Sequence, residues 1–204
     1  MIAIVDYGSG NIAAIANIYK QLKVPHIVSG DPQILKEADR YILPGVGAFD
    51  TVMEDLTHLG IVDTLKEEVI GKGKKAMGIC VGMQILASSS DEGERPGLGW
   101  VPGHIRRIDA SRINHAPKLP HMGWNSIRPE GEIEMLKGVD IERGFYFLHN
   151  YYFDPERDED VIATVSYGEA LACGVRRGNV FGFQFHPEKS HSNGAAIFRN
   201  FAEI

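Results

Sequence analysis

Apolar residues come in short solid runs along the first eighty positions. Ile2-Ala3-Ile4-Val5 is the first, His26-Ile27-Val28 the second, Tyr41-Ile42-Leu43 the third and Lys75-Ala76-Met77-Gly78-Ile79 the fourth. A short apolar run without polar alternation is what a strand buried on both faces shows. Between these runs the period changes. Ile12, Ile15, Ile18, Tyr19 and Leu22 recur at helical spacing, Phe49 to Leu59 and Ile61 to Ile70 predict two further helices, and another is expected from about Val81 to Ala87. Pro44-Gly45 is expected to stop the third strand. Strand and helix in alternation predict an α/β fold, a single domain over residues 1–204 with a mostly parallel central sheet and flanking helices. Ligands of such sheets gather outside the carboxyl ends of the strands. Gly8, Gly10, Pro44 to Gly47 and Cys80 fall at those ends.

The second half has a different texture. Trp100 to Ile108, Gly123 to Ile127, Phe145 to His149, Val161 to Ser166, Ala170 to Val175 and Val180 to Phe185 read as strands, with turns such as Arg177-Gly178-Asn179 between them. They predict a strand-rich extension of the same sheet, closed by a helix from about Asn193 to Ala202. Ser88 to Gly99 is polar and glycine-containing and is expected to be a mobile loop.

Composition narrows the function. Hydrophobic residues are 44% and charged residues 24% of 204, the balance of an ordinary globular protein. The net charge is −6 with no run of Lys or Arg, which argues against nucleic acid as a partner. No apolar stretch approaches the roughly 18 to 20 residues a membrane span needs. The two cysteines, Cys80 and Cys173, make no disulfide framework, and a reducing cytoplasm is expected. The chain opens on the strand-like run Ile2 to Val5, so no signal peptide is expected. The eight histidines are scattered without metal-ligand spacing, so no metal is expected.

Gly78-Ile79-Cys80-Val81-Gly82 has the spacing G-x-C-x-G between a predicted strand and a predicted helix. That is the setting of a nucleophile elbow with Cys in place of Ser. The turn exposes the nucleophile, the glycines keep atoms away, and the helix N-terminus favours a thiolate. The Val81 N–H can face a developing oxyanion. A buried structural cysteine beside two turn glycines is the plainer reading of the same residues. Phe183-Gln184-Phe185-His186-Pro187-Glu188 ends another apolar run. In extended chain His186 and Glu188 share a face, so the carboxylate could hold Nδ1 of the imidazole and leave Nε2 for a thiol. A surface His and Glu at a strand end is the alternative. Pro44-Gly45-Val46-Gly47 could turn an N–H toward a ligand or be an ordinary βα turn. Cys173, within Ala170 to Gly174, reads as core.

Taken together these segments resemble the class I (triad) glutamine amidotransferases. Asp6-Tyr7-Gly8-Ser9-Gly10-Asn11, Leu43-Pro44-Gly45-Val46-Gly47-Ala48-Phe49, Gly78 to Gln84, Pro120-His121-Met122-Gly123-Trp124-Asn125 and Gln184 to Ser190 carry the resemblance through almost the whole chain. It implies that Cys80 attacks the glutamine side-chain amide, that His186 handles the proton, and that Glu188 orients His186. A thioester would form on Cys80 and be hydrolysed, with no cofactor. Gly45, Val46 and Val81 would form the oxyanion hole, sometimes only after a peptide flip. Gly47, Gln84, Glu92, Asn150 and Tyr151 would hold glutamine. The resemblance further implies a heterodimer with a (β/α)8 cyclase that uses the ammonia to make imidazole glycerol phosphate in histidine biosynthesis. Tyr7 to Asn11 (Ser9 and Asn11 above all), Met122, Trp124 and Lys189 would face that partner, with Trp124 as an anchor. A different synthase, such as one aminating a nucleotide sugar, would use the same glutaminase chemistry.

A rival comes from another class. Gly8-Ser9-Gly10-Asn11-Ile12-Ala13 fits G-x-G-x-x-A after the first strand, and Asp31 lies about twenty residues on, the outline of a dinucleotide-binding fingerprint. It leaves Cys80, the Pro44 to Gly47 turn and His186-Pro187-Glu188 without a role. Asp31-Pro32 also suits a helix start.

Overall fold

The computed structural model describes all 204 residues. The four apolar runs become parallel strands β1 (Ile2–Val5), β2 (His26–Ser29), β3 (Arg40–Gly45) and β4 (Lys75–Cys80), side by side in the order β2-β1-β3-β4. Their connections carry helices α1 (Ile12–Gln21), α2 (Pro32–Leu35), α3 (Phe49–His58) and α4 (Ile61–Leu65). β3 does not stop before Pro44. It continues through Gly45 against β4, while β1 accompanies it only as far as Ile42. Pro44 therefore sits where β3 has one strand neighbour, and its missing N–H is tolerated. α4 runs on as a π-helical turn, Lys66–Gly71, which holds the fully buried Glu68 carboxylate at 2.6 Å from both Lys72 and Lys74.

After β4 comes α5 (Val81–Gln84), much shorter than the predicted helix to Ala87. Leu86 and Ala87 close tighter turns onto Met83 and Gln84, and Leu98 and Gly99 take the carbonyls of Ile85 and Ala87. Those carbonyls bond across the fold instead of along a helix. The remaining strands are β5 (Ser89–Ser90), β6 (Gly103–Arg107), β7 (His121–Asn125), β8 (Arg128–Pro129), β9 (Phe145–His149), β10 (Tyr151–Pro155), β11 (Val161–Tyr167), β12 (Glu169–Arg177) and β13 (Val180–Phe183), and α6 (His191–Glu203) follows them. β13 inserts parallel to β4 and antiparallel to β12, which joins the two halves into one 11-stranded sheet. No helix is long and apolar enough to cross a membrane.

Three expectations need correction. β7 lies two residues earlier than predicted and pairs with β9 in a separate two-stranded sheet, because His121 turns inward opposite His149. β10 was not expected. Its residues offer one fully buried apolar side chain, Phe153, and end in a proline, so no apolar run marks the strand. The Ser88 to Gly99 segment is tied down rather than loose. Asp50, in the first turn of α3, accepts from the Glu94 and Arg95 amides at 3.0 Å each, and Arg95 pairs with Glu54.

Candidate active site

Cys80 stands at the end of β4 with φ 54° and ψ −112°, outside the comfortable regions for an L-residue. Holding it there costs about 1–3 kcal/mol, which the packing around it must offset. The flanking glycines show how. A Cβ on Gly82 would run into the Leu43 carbonyl of β3, and one on Gly78 into the backbone of Gly82. The turn is thus folded tightly on itself and onto β3, with Cys80 at its apex. The predicted elbow is present, and Cys80 is 4% exposed at the floor of a cleft of about 220 Å³.

The second element of the site arrives on β13. Phe183 and Phe185 pack against each other at 5.0 Å between centroids, and Phe185 stacks on Phe145 of β9 at 3.8 Å. This aromatic layer fixes where the chain emerges beyond β13. The His186 amide donates to the Tyr146 carbonyl at 2.9 Å, and the Ser190 hydroxyl donates to the His186 carbonyl at 2.7 Å. His186 Nδ1 lies 2.9 Å from Glu188 Oε1, with both side chains almost fully buried. The contact forms inside a 3-10 turn, Pro187–Lys189, and not across extended chain as predicted; the turn folds Glu188 back under the ring. Burial by itself would lower the His186 pKa. Hydrogen bonding and charge from Cys80 and Glu188 outweigh it and raise the group from 6.5 to about 9. Those neighbours favour the protonated ring. Cys173 is fully buried and its thiol is pushed far up by desolvation, as a core cysteine should be.

The Pro44 to Gly47 segment borders the cleft. Two residues of the first βα turn fasten it. The Ser9 hydroxyl accepts from the Val46 amide at 2.9 Å and donates to the Val46 carbonyl at 2.6 Å. The Tyr7 hydroxyl donates to the Pro44 carbonyl. Of the predicted oxyanion donors, Val46 thus has its N–H engaged by Ser9. Gly45 is packed so closely on the Val81-Gly82 backbone that a Cβ would collide with it. Val81 opens α5 beside the thiol.

The residues expected to hold glutamine all line the same cleft: Gly47, Gln84, Glu92, Asn150 and Tyr151. Gly47 has φ 113°, open to glycine alone at no cost. Glu92 uses one oxygen to accept from the Phe49 amide at 2.9 Å, at the start of α3. Gln84 Nε2 donates to the Tyr151 carbonyl at 3.3 Å and to Gln184 Oε1 at 3.1 Å. Both its amide protons are spent, so only its oxygen is left for a ligand.

Three groups went unnoticed in the sequence. Leu148 brings its carbonyl to 3.9 Å from the Cys80 sulfur. Gln184, fully buried, places Nε2 at 3.8 Å from it. His149 lines the cleft and joins His121 in a buried pair. Its Nδ1 lies 2.7 Å from the Tyr151 carbonyl and so carries the hydrogen, and its Nε2 accepts from His121 Nδ1 at 2.9 Å. His121 Nε2 faces Asn125 Nδ2 at 3.3 Å. Both imidazoles are held neutral. Burial, then His149 and His115, lowers His121 to about 3. Burial lowers His149 to about 4, against the Tyr151 hydrogen bond and with His186 adding to the fall.

Ser9, Asn11, Val46 and Lys189 border a shallow depression next to the cleft, and Val46 and Lys189 line both. Met122 and Trp124 stand out on β7, 61% and 44% exposed. Trp124 is stacked flat on His191 at 5.5 Å. Tyr7, expected to face outward, is buried, because its ring packs in the core and its hydroxyl is spent on Pro44. The dinucleotide outline has structural uses instead. Asp31 Oδ1 caps α2 through the Gln33 amide at 2.8 Å, and Gly10 lets the first turn close onto Pro44.

The fold and the cleft fit one class, and residues 3–204 match it: the chain belongs to the family Glutamine amidotransferase class-I. It is similar to the imidazole glycerol phosphate synthase subunit HisH of Leptospira borgpetersenii, 46% identical over 204 residues that span both chains in full. The HisH subunits of Bdellovibrio bacteriovorus (46% over 205 residues, all of both chains) and Methanothermobacter thermautotrophicus (42% over 205 residues, all of this chain and 98% of that one) are similar too. Among solved structures, one described as glutamine amidotransferase covers all of this chain and 98% of its own, with a TM-score of 0.74 and 21% identity. The structure of PurLQS from Thermotoga maritima covers 99% of this chain and 97% of its own, with a TM-score of 0.64 and 19% identity. At those identities the likeness is one of fold.

Proposed function

We propose that this chain is the glutaminase subunit of imidazole glycerol phosphate synthase, one domain over residues 1–204 that releases ammonia from L-glutamine for histidine biosynthesis. The observation that carries the proposal is the meeting of the elbow cysteine with a buried His186–Glu188 pair in one cleft. Support for the pathway comes from identities of 42 to 46% along the full length of HisH subunits.

Cys80 Sγ, its proton passed to His186, attacks the side-chain amide carbon of glutamine. The C–N bond breaks and the proton on His186 leaves with the departing ammonia. The raised pKa of His186 keeps that proton on the ring, and Glu188 at Nδ1 aims Nε2 at the sulfur and the leaving nitrogen. Water then attacks the γ-glutamyl thioester with His186 as base, a C–O bond replaces the C–S bond, and glutamate departs. The tetrahedral oxygen is received by the Val81 N–H and by a second donor from Gly45-Val46. That second donor becomes free only when the Val46 peptide lets go of Ser9. Gly47, Gln84, Glu92, Asn150 and Tyr151 hold the substrate.

Ser9, Asn11, Met122, Trp124 and Lys189 form the surface for a (β/α)8 cyclase, a cytoplasmic heterodimer in which docking acts on the Pro44 to Gly47 segment. The test is glutamate release with the candidate cyclase present and its ribulosyl substrate bound, comparing wild type with Cys80→Ala. Stimulation by the cyclase, lost in the variant, is expected. Cysteine-dependent hydrolysis indifferent to that cyclase would assign the ammonia to another synthase, and hydrolysis that survives in Cys80→Ala would overturn the nucleophile.

A further inference from the structure

Gln184 sits between Phe183 and Phe185, where the pattern of the chain calls for an apolar side chain, and it is fully buried. Burying a primary amide costs several kcal/mol unless its groups find partners, so an amide kept here has something to bond. Its backbone N–H donates to the Cys173 carbonyl at 2.9 Å, which ties the main chain to β12. The side chain is oriented from outside. Gln84 gives one amide proton to the Tyr151 carbonyl and the other to Gln184 Oε1. With Oε1 fixed as acceptor, Nε2 has only one direction left, and it meets the Cys80 sulfur at 3.8 Å. Turning the amide over would set nitrogen against nitrogen and oxygen against sulfur.

An N–H donor gains little from a neutral thiol and considerably more from a sulfur that bears negative charge. The Cys80 sulfur bears such charge twice in the proposed cycle: before it attacks the amide, and when the thioester C–S bond breaks and the electron pair returns to it. We infer that Gln184 is a catalytic residue of the glutaminase reaction, donating Nε2–H to the Cys80 sulfur while that sulfur is anionic. No proton is transferred by the amide. Its service is to hold charge on an atom that water cannot reach from that side. The Leu148 carbonyl, 3.9 Å away, is an acceptor and can serve only the thiol form. The chain Tyr151–Gln84–Gln184–Cys80 also ties the wall of the glutamine pocket to the nucleophile.

The inference rests on Cys80 as nucleophile, and the two are separated by measurement. The rate at which iodoacetamide alkylates Cys80 is followed against pH in the whole chain, with the adduct located by mass spectrometry. Gln184→Met keeps the volume and removes the donor. Gln184→Asn keeps an amide but withdraws it from the sulfur, and decides the matter should the Met variant fail to fold. Both variants are expected to alkylate about tenfold more slowly at neutral pH and to rejoin wild type at alkaline pH, where the sulfur is fully ionised. A merely structural Gln184 would not move that profile. Wild-type profiles in variants with native near-UV circular dichroism would overturn the inference. Cys80→Ala, assayed beside them for glutamate release, tests the nucleophile independently of Gln184.

Discussion

The His121–His149 pair makes the stability of this protein depend on pH in a defined window. Both imidazoles are neutral in the folded chain, lowered to about 3 and about 4, and both return to an ordinary pKa near 6.5 on unfolding. The groups facing His121 are His149, His115, Tyr167, Phe147 and Asn125, and those facing His149 are His121, His186 and the Tyr151 carbonyl. None is a carboxylate that would welcome a second proton. Between about pH 6.5 and 4 the unfolded chain therefore binds protons that the folded chain refuses, and stability falls as pH falls. Each such proton is worth about 1.4 kcal/mol per pH unit, so the pair gives a slope of at most about 2.7 kcal/mol per unit. One and a half units below 6.5 that reaches about 4 kcal/mol, a large share of the roughly 5–15 kcal/mol that holds a domain folded. His186 acts in the opposite sense. Its folded pKa is raised, so its contribution is complete below 6.5 and lost only as pH rises toward 9. Carboxylates titrate in the unfolded chain near 4, at the lower edge of the window. His149→Gln keeps a donor for the Tyr151 carbonyl and an acceptor for His121 but does not titrate. Urea unfolding at pH intervals from 4.5 to 7 should show the acid slope reduced by about 1.4 kcal/mol per unit in this variant. A variant slope equal to that of wild type would refute the reasoning.

Two further outcomes follow from the cleft. Ser9→Ala removes both hydrogen bonds that hold the Val46 peptide, and net bonds of about 1 kcal/mol each predict glutamate release without any partner at least about fivefold faster than wild type; an unchanged basal rate would show that Ser9 does not restrain the segment. Gly82→Ala drives a Cβ into the rigid Leu43 backbone carbonyl and should lose about 3 kcal/mol or more. A urea midpoint like that of wild type would mean the elbow is looser than its glycines indicate.

Much of this arrangement is legible in the sequence. β1, β3 and β4 announce themselves because strands flanked on both sides within the sheet bury almost every position, whereas β2, the edge strand, is half-exposed and shows only as a short apolar run. The elbow is legible because only glycines allow that turn. His186 and Glu188 are legible as chemistry but not as geometry: the sequence suggests extended chain, and a proline-started 3-10 turn makes the contact instead. What escapes is whatever depends on a partner far away in sequence. Gln184 reads as a polar interruption until Gln84, one hundred positions earlier, is seen to orient it. His121 and His149 are each unremarkable in sequence, and only the pairing of β7 with β9 makes them a buried pair. β10 and the anchored Ser88 to Gly99 segment escape for the same reason, since their stability comes from neighbours and not from their own pattern.

The place of β13 has a consequence for how the protein comes into being. It comes after every other strand of these 204 residues, yet it lies in the interior of the sheet, between β4 and β12. Until it is in place, β4 has an open edge and Cys80 lacks His186. The first 179 residues can collapse around their apolar runs while a gap remains where the final strand must slide in, the non-local step that sets the pace of folding in such topologies. Chains that stop short of β13 thus carry the Cys80 thiol without His186 and Glu188 folded against it.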